Sequence, residues 1–243
     1  MKTLLAIAGV AALLGVPRAN ATIEVRIINV VGGVAVGDTG WTAGSGNGTT
    51  SAIFTGAVGN YDVTSAISVS HSNSNPLLDL QYSATTLTNG TPGTIIIEAM
   101  ADGYVINTPG FQFIDNGNSL YSSGTYTDAA YGGNNNNICP AGTSACWNGT
   151  TNPAPSGTSS NLIASGGPFT SPTAWGVNKS SSVGNTANPY SLGIVVSLAN
   201  PTGLSTMSGD ANINFVPEPA SVMLLGGVLL VVAGAVRRKV SRA

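Results

Sequence analysis

Charge is what this sequence has least of. Asp, Glu, Lys and Arg together make up 7% of 243 residues, against roughly 25% in an ordinary soluble domain. Bases are scarcer still away from the termini, because six of the eight are Lys2, Arg18, Arg237, Arg238, Lys239 and Arg242. Between Thr22 and Phe215, Arg26 and Lys179 face nine acids (Glu24, Asp38, Asp62, Asp79, Glu98, Asp102, Asp115, Asp128 and Asp210), a net of −7. A surface of that sign repels phosphate backbones, so nucleic acid is excluded as a partner. Histidine occurs once, as His71 in the polar stretch Ser70–Asn73. A Ser-His-Asp triad would have only that base, and no Gly-x-Ser-x-Gly elbow accompanies the serines. His71 therefore reads as an exposed turn residue.

Cysteine is nearly as rare. Cys139 and Cys146 are the only two, and with His71 as the sole further soft ligand a transition-metal site is not expected. Aromatic residues, at 6%, leave little to wall a sugar groove by stacking. Helical periodicity is also missing between Thr22 and Phe215, and no stretch there carries apolar residues at helical spacing.

Apolar runs occur at the two ends instead. After Lys2, Leu4 to Val16 is uncharged and apolar, Pro17 and Arg18 break it, and Ala19-Asn20-Ala21 places small residues at the −3 and −1 positions of a cleavage site. Thirteen residues span a bilayer poorly, so the run reads as a signal peptide cut after Ala21, with Thr22 as the mature N-terminus. Signal peptidase is the partner this implies. At the other end Ala220 to Val236 carries no charge over seventeen residues, and Arg237, Arg238, Lys239 and Arg242 follow. A helix of that length rises ~26 Å, just short of a ~30 Å hydrocarbon core. The basic cluster keeps its side cytoplasmic and leaves the acidic middle on the far side of the membrane.

Immediately before this run stands Val216-Pro217-Glu218-Pro219. Two prolines around a glutamate give an extended, donor-poor segment that a processing enzyme can reach at the membrane surface. The order of Val-Pro-Glu-Pro, Ala-Ser, apolar helix and Arg-Arg-Lys over Val216–Arg242 resembles the PEP-CTERM sorting signal of Gram-negative bacteria. The resemblance covers about a tenth of the chain. It implies export, transient anchoring in the inner membrane, recognition at Pro217–Pro219 by an exosortase-type enzyme, and removal of the tail to the cell surface or medium. It also implies a cell that builds extracellular polysaccharide. The same C-terminal segment labels some proteins described as ice-binding.

The middle reads as all-β. Ile23–Ile27 and Leu78–Tyr82 alternate as half-buried strands do, and Tyr61–Ser70 does so in part. Gly93–Ala99 is continuously apolar, as suits a strand buried on both faces. Phe111–Phe113, Tyr121–Tyr126, Tyr190–Leu198 and Asn212–Phe215 complete the clearest set. Asn89-Gly90, Pro92-Gly93, Asp102-Gly103, Pro109-Gly110 and Asn116-Gly117 read as turns. Thr39–Thr50 and Gly132–Gly167 lack strand character. The expectation is roughly nine to twelve strands in a single antiparallel β-sandwich, jelly-roll-like, at residues 22–215. An N-terminal signal helix over 1–21 would precede it, and a sorting tail over 216–243 would follow, with its transmembrane helix at 220–236.

Candidate chemistry is thin. Cys139 and Cys146 would pair as a disulfide in an oxidising compartment, closing a short loop worth about 2–3 kcal/mol. Glycoside hydrolysis needs two carboxyls about 5–9.5 Å apart, whereas Glu24, Asp79 and Glu98 stand alone in strands and only Glu98 and Asp102 straddle an expected turn. Asp115-Asn116-Gly117-Asn118-Ser119 offers hard oxygens around a glycine, without the acidic density of a calcium loop. The Asn-Gly-Thr triplets at Asn47, Asn89 and Asn148, and Asn178-Lys179-Ser180, are glycosylation sequons in form only. No metal, cofactor or catalytic residue is expected. The expected function is a non-catalytic cell-surface or matrix protein, adhesive or structural beside extracellular polysaccharide. A module binding glycan or ice comes second, using Thr86-Leu87-Thr88, Thr125-Tyr126-Thr127 or a groove lined by Trp41, Trp147 or Trp175. A glycoside hydrolase comes third.

Overall fold

The computed structural model describes residues 23–44, 51–70, 77–87, 92–104, 110–120, 124–134, 160–170, 174–181, 190–199, 201, 204–216 and 227–228. Thirteen strands occupy them. They are β1 (Ile23–Val31), β2 (Val34–Asp38), β3 (Thr42–Ala43), β4 (Ser51–Val58), β5 (Tyr61–Ser70), β6 (Leu78–Thr86), β7 (Thr94–Tyr104) and β8 (Gly110–Leu120). Then come β9 (Thr125–Asn134), β10 (Ser160–Phe169), β11 (Ala174–Ser181), β12 (Tyr190–Ala199) and β13 (Thr206–Val216). One sheet runs β10-β9-β12-β7-β1-β2, with β3 also on β1, and the other runs β11-β8-β13-β6-β5-β4. All pairings are antiparallel. From β6 onward the chain passes from sheet to sheet at almost every step, which gives the sandwich its jelly-roll character.

Alternating side chains fill the space between the sheets. Ile23, Val25 and Ile27 of β1, Ile95 and Ile97 of β7, and Leu192, Ile194, Val196 and Leu198 of β12 meet Tyr82, Phe111, Phe113, Met207 and Ile213 from the facing sheet. Most of the buried tyrosines find a partner for the hydroxyl, Tyr190 being the exception. Tyr61 donates to the Gly93 carbonyl at 3.0 Å, and Tyr104 donates to the Leu77 carbonyl at 2.7 Å. Asn29, fully buried, ties three segments together. Its amide donates to the Pro92 and Thr94 carbonyls, and its oxygen accepts the Asn60 N–H. Such bonds let a polar side chain sit in the core without a desolvation loss.

From Thr94 on, the run Gly93–Ala99 lies in a strand buried on both faces, as its composition required. β1 departs from expectation. Glu24 and Arg26 are buried too, because β1 is flanked by β7 on one side and by β2 and β3 on the other, and Arg26 is answered by Asp38. Asp102-Gly103 and Asn116-Gly117 are not turns. The first lies inside β7, opposite a register shift between Tyr190 and Leu192, and the second lies inside β8. Gly117 is needed for packing instead, since a Cβ there would lie 2.4 Å from the Trp175 ring and 2.5 Å from the Ser208 carbonyl. Strands also occupy both ends of the stretch read as irregular between Gly132 and Gly167. β2, β4 and β11 were not anticipated.

Pairing fixes where the chain enters and leaves. Ile23 pairs with Ala101 near the end of β7, and Val216 pairs with Gly110 at the start of β8. β7 leads directly into β8, so Ile23 and Val216 stand at one end of the sandwich. The expected signal peptide and sorting tail therefore join the fold at that same end.

Replacing Ile97, fully buried in β7, with Ala should cost about 2–5 kcal/mol. Ile53→Ala, at a site 57% exposed, should stay within about 0.5 kcal/mol. Urea unfolding of dilute protein measures both, and equal costs would contradict the described packing.

Candidate functional site

The acids that stand apart in sequence come together across strands. Asp115 on β8 and Asp128 on β9 point inward from opposite sheets and are almost wholly buried. Asp115 is well supplied with donors. Tyr82 donates to Oδ1 at 3.1 Å, Trp175 Nε1 donates to Oδ2 at 2.9 Å, and Tyr126 donates to Oδ2 at 2.5 Å. The Tyr126 ring stacks on Trp175 with centroids 4.0 Å apart. No Tyr, Trp or other side-chain N–H or O–H reaches either oxygen of Asp128. Its partner is the Asp115 carboxyl, to which it donates when protonated. Burial first, and then that neighbour, push Asp128 up to about 8, while the Gly166 amide and Lys179 pull weakly the other way. Burial also raises Asp115, opposed by bonds from Tyr126, Asp128, Trp175 and Tyr82. The two acids thus share a proton inside the sandwich. Gly166 backs onto the pair, where a Cβ would lie 2.4 Å from Asp128 Oδ1.

A second pair lies on the outer face of the six-stranded sheet. Asp79 on β6 is hydrogen-bonded to Asp210 on β13, and burial followed by that bond raises Asp79 to about 7. Around it the outward side chains are amides and hydroxyls. Gln112 Nε2 donates to Asn178 Oδ1 at 2.9 Å, Ser208 Oγ donates to Asn118 Oδ1 at 3.0 Å, and Asn214 Nδ2 donates to Asn212 Oδ1 at 2.9 Å.

The third group covers the outer side of β1 and β7. Arg26 holds Asp38 through two hydrogen bonds and stands 5.9 Å from the Trp41 ring centroid. The Arg26 bond keeps Asp38 below its usual value. Glu98, directly across from Arg26 on β7, is raised to about 8 by burial, with Arg26 opposing. Burial and then Asp102 raise Glu24.

The expected site residues fare unevenly. Glu98 and Asp102 lie in one strand with no turn between them. The Asp115–Ser119 segment is a strand with Asp115 buried and Asn116 exposed, so its oxygens face opposite ways and do not converge on one ion. Trp175 is a core residue, and Trp41 is half-buried on the other sheet, so they line no common groove. Among the described residues no cluster of three His, Cys, Asp or Glu could hold a metal. Val216 is the last residue of β13. Pro217, Glu218, Pro219, Arg237, Arg238, Lys239, Cys139, Cys146, His71 and Trp147 lie outside the described residues, as does almost all of the expected span 220–236. Among those described, no helix is long and apolar enough to cross a membrane.

Acids held protonated at neutral pH set the pH response. An unfolded Asp loses its proton near 3.9, whereas Asp128 holds its own to about 8, so the folded state binds more protons in between. Stability should therefore be highest below about pH 4 and fall through neutrality, by at most about 1.4 kcal/mol per pH unit for each proton held. Asp128→Asn keeps the bond to Asp115 without the ionisation, and should flatten that slope. Urea midpoints across pH 4 to 9 read the effect, and a midpoint rising with pH would overturn the assignment.

Residues 215–239 match the family model of the PEP-CTERM protein-sorting motif. No curated protein matches the chain. Among solved structures, the enzymatically active domain of bacteriophage CBA120 tailspike protein 4 aligns at 6% identity and TM-score 0.35, over 69% of this chain and 20% of that one. The Clostridium thermocellum xylanase 10B CBM22-1 and GH10 modules complexed with xylohexaose align at 9% and 0.31, over 62% and 24%. This chain thus spans only a fifth to a quarter of those two. TmCBM61 in complex with β-1,4-galactotriose aligns at 9% and 0.31, over 69% and 90%. At such scores the likeness says nothing about ligand or reaction. A PEP-CTERM motif marks an exported protein handled by an exosortase-type enzyme, and this chain carries that motif at residues 215–239.

Proposed function

We propose that this protein is a non-catalytic sandwich, secreted by a cleaved signal peptide, anchored briefly through 220–236 and released at Pro217–Pro219 to an adhesive or structural role outside the cell. The observation that carries the reading is the join between fold and tail. Val216 closes the central strand β13 and is also the first residue of Val-Pro-Glu-Pro. Proline cannot continue the ladder, since it has no N–H. Three extended residues reach about 10 Å, so the sandwich stands close to the membrane with both termini toward it. The opposite end, with the β1–β2 and β4–β5 turns, faces outward.

Two features support the absence of catalysis. Carboxyls hydrogen-bonded to each other are closer than the ~5 Å that either glycosidase geometry requires, and this holds for Asp115–Asp128 and Asp79–Asp210 alike. The first pair is also sealed from any substrate. A second reading, glycan binding, is favoured by the amide and hydroxyl face around Asn118, Asn178, Asn212 and Asn214. Such a face offers donors and acceptors to a neutral polysaccharide, and its acids disfavour an anionic one.

Replacing Pro217-Glu218-Pro219 with Ala-Ala-Ala should leave insertion intact and trap uncleaved protein in the membrane fraction. Normal release, at wild-type rate and size, would end the sorting account. Cosedimentation of released protein with the producer's polysaccharide then separates the two roles. Binding that is lost in Asn178→Ala/Asn212→Ala would favour the glycan module.

A further inference from the structure

Side chains on the outward side of the seven-stranded sheet stand where water normally meets them, because the described residues build two sheets and no third layer. Yet Glu24 and Arg26 on β1, Glu98 and Met100 on β7, and Ser191 on β12 are each more than nine-tenths buried. Glu24 Oε2, Arg26 Nη1, Trp41 Nε1, Glu98 Oε2 and Ser191 Oγ are all hidden. Among the described residues none of these atoms has a hydrogen-bond partner. Leaving buried polar atoms unpaired is costly, so five on one side of one sheet call for something to bond them.

Strand pairing gathers the group. Arg26 lies directly across from Glu98, and Glu24 across from Met100. On its other flank Met100 faces Gly193 of β12, which in turn faces Tyr131 of β9. Gly193 has no side chain, so the row from Glu24 to Tyr131 dips between Met100 and Tyr131. Trp41 and Tyr131 both pack against Met100, and the Arg26 guanidinium stands 5.9 Å from the Trp41 ring centroid. The two rings are only half-buried, so the group opens to solvent there.

The unpaired atoms narrow the ligand by their chemistry. Arg26 Nη1 and Trp41 Nε1 can only donate. Glu98, raised to about 8 by burial, keeps its proton at neutral pH and, like the Ser191 hydroxyl, both donates and accepts. Sugar hydroxyls do the same, and the C–H faces of a sugar ring suit Trp41, Tyr131 and the flexible Met100. Water would meet the polar atoms and leave the rings unused. Asp38 already answers the Arg26 charge, which disfavours an anion. Among the described residues no cluster of three acids, His or Cys could hold a metal.

We propose that this side of the seven-stranded sheet binds a short stretch of neutral polysaccharide, stacked on Trp41 and Tyr131 and hydrogen-bonded by Glu24, Arg26, Glu98 and Ser191. The row from Glu24 to Tyr131 crosses three strand spacings, about 14 Å, which suits a few linked sugars. The site lies on the opposite sheet from the amide and hydroxyl face around Asn178 and Asn212. The inference rests on the adhesive reading and gives adhesion a ligand class.

The test titrates protein recovered from the medium of producing cells with cellotetraose, mannotetraose and maltotetraose, and with tetragalacturonate as the acidic comparison. Calorimetry should show binding of at least one neutral probe in preference to the acidic one. Trp41→Ala should weaken it about tenfold or more. Ser191→Ala removes a hydroxyl that has no partner in the free protein. It should weaken binding while leaving thermal unfolding of the free protein unchanged or raised. A lowered midpoint in that variant would show the hydroxyl bonded to ordered water or to another part of the chain, and would overturn the site. So would no binding of any neutral probe, tighter binding of the acidic one, or binding indifferent to Trp41→Ala and Ser191→Ala. Loss of binding in Asn178→Ala/Asn212→Ala with full binding in Trp41→Ala would move the sugar to the other sheet. If the site fails but the protein still cosediments with the producer's polysaccharide, the adhesive reading stands without it.

Discussion

The fold depends on how a domain with nine acids and two bases deals with its buried carboxyls. The one guanidinium in the domain, Arg26, is buried and is clasped by Asp38, which itself is exposed. Glu24, Glu98, Asp115 and Asp128 are equally hidden, and no second arginine exists in the domain to meet them. Burying a lone carboxylate costs far more than keeping its proton. Glu98 and Asp128, both raised to about 8, keep their protons, Asp115 is met by donors from Tyr82, Tyr126 and Trp175, and burial raises Glu24 as well. Low charge, a buried polar core and carboxyls raised by burial are then one property seen at three levels.

The same constraint shapes the surface. With almost no lysine or arginine available, the outward face of the six-stranded sheet is built from short amides and hydroxyls that bond to one another. A protein delivered outside the cell and meant to stay there gains from such a surface. Its acids disfavour anionic polymers, and its amides and hydroxyls are groups that a neutral polymer could bond.

Much of this was legible in the sequence. Alternation placed β6, the apolar run placed β7 as a doubly buried strand, and the order of proline, apolar run and basic cluster identified the tail. What stayed hidden was whatever depends on which strands become neighbours. Asp79 and Asp210 meet because β13 inserts beside β6, and Asp115 meets Asp128 because β8 and β9 face each other from opposite sheets. Local spacing carries no trace of either. Asn116-Gly117 misled for a related reason. The glycine there is not turning the chain but making room for Trp175, a residue far along the sequence whose position only the fold determines. The β2, β4 and β11 edges were missed because edge strands bury little and so alternate weakly.

The claim under most of this account is that Asp128 keeps its proton inside the folded sandwich. Carbon-13 carboxyl shifts of the folded protein, followed through a pH titration, report that proton directly. Asp128 should remain protonated through neutrality and titrate near 8, with Asp115 shifting in the same step because the two are bonded. Ordinary carboxylate titration of both residues near pH 4, in protein that stays folded, would contradict it.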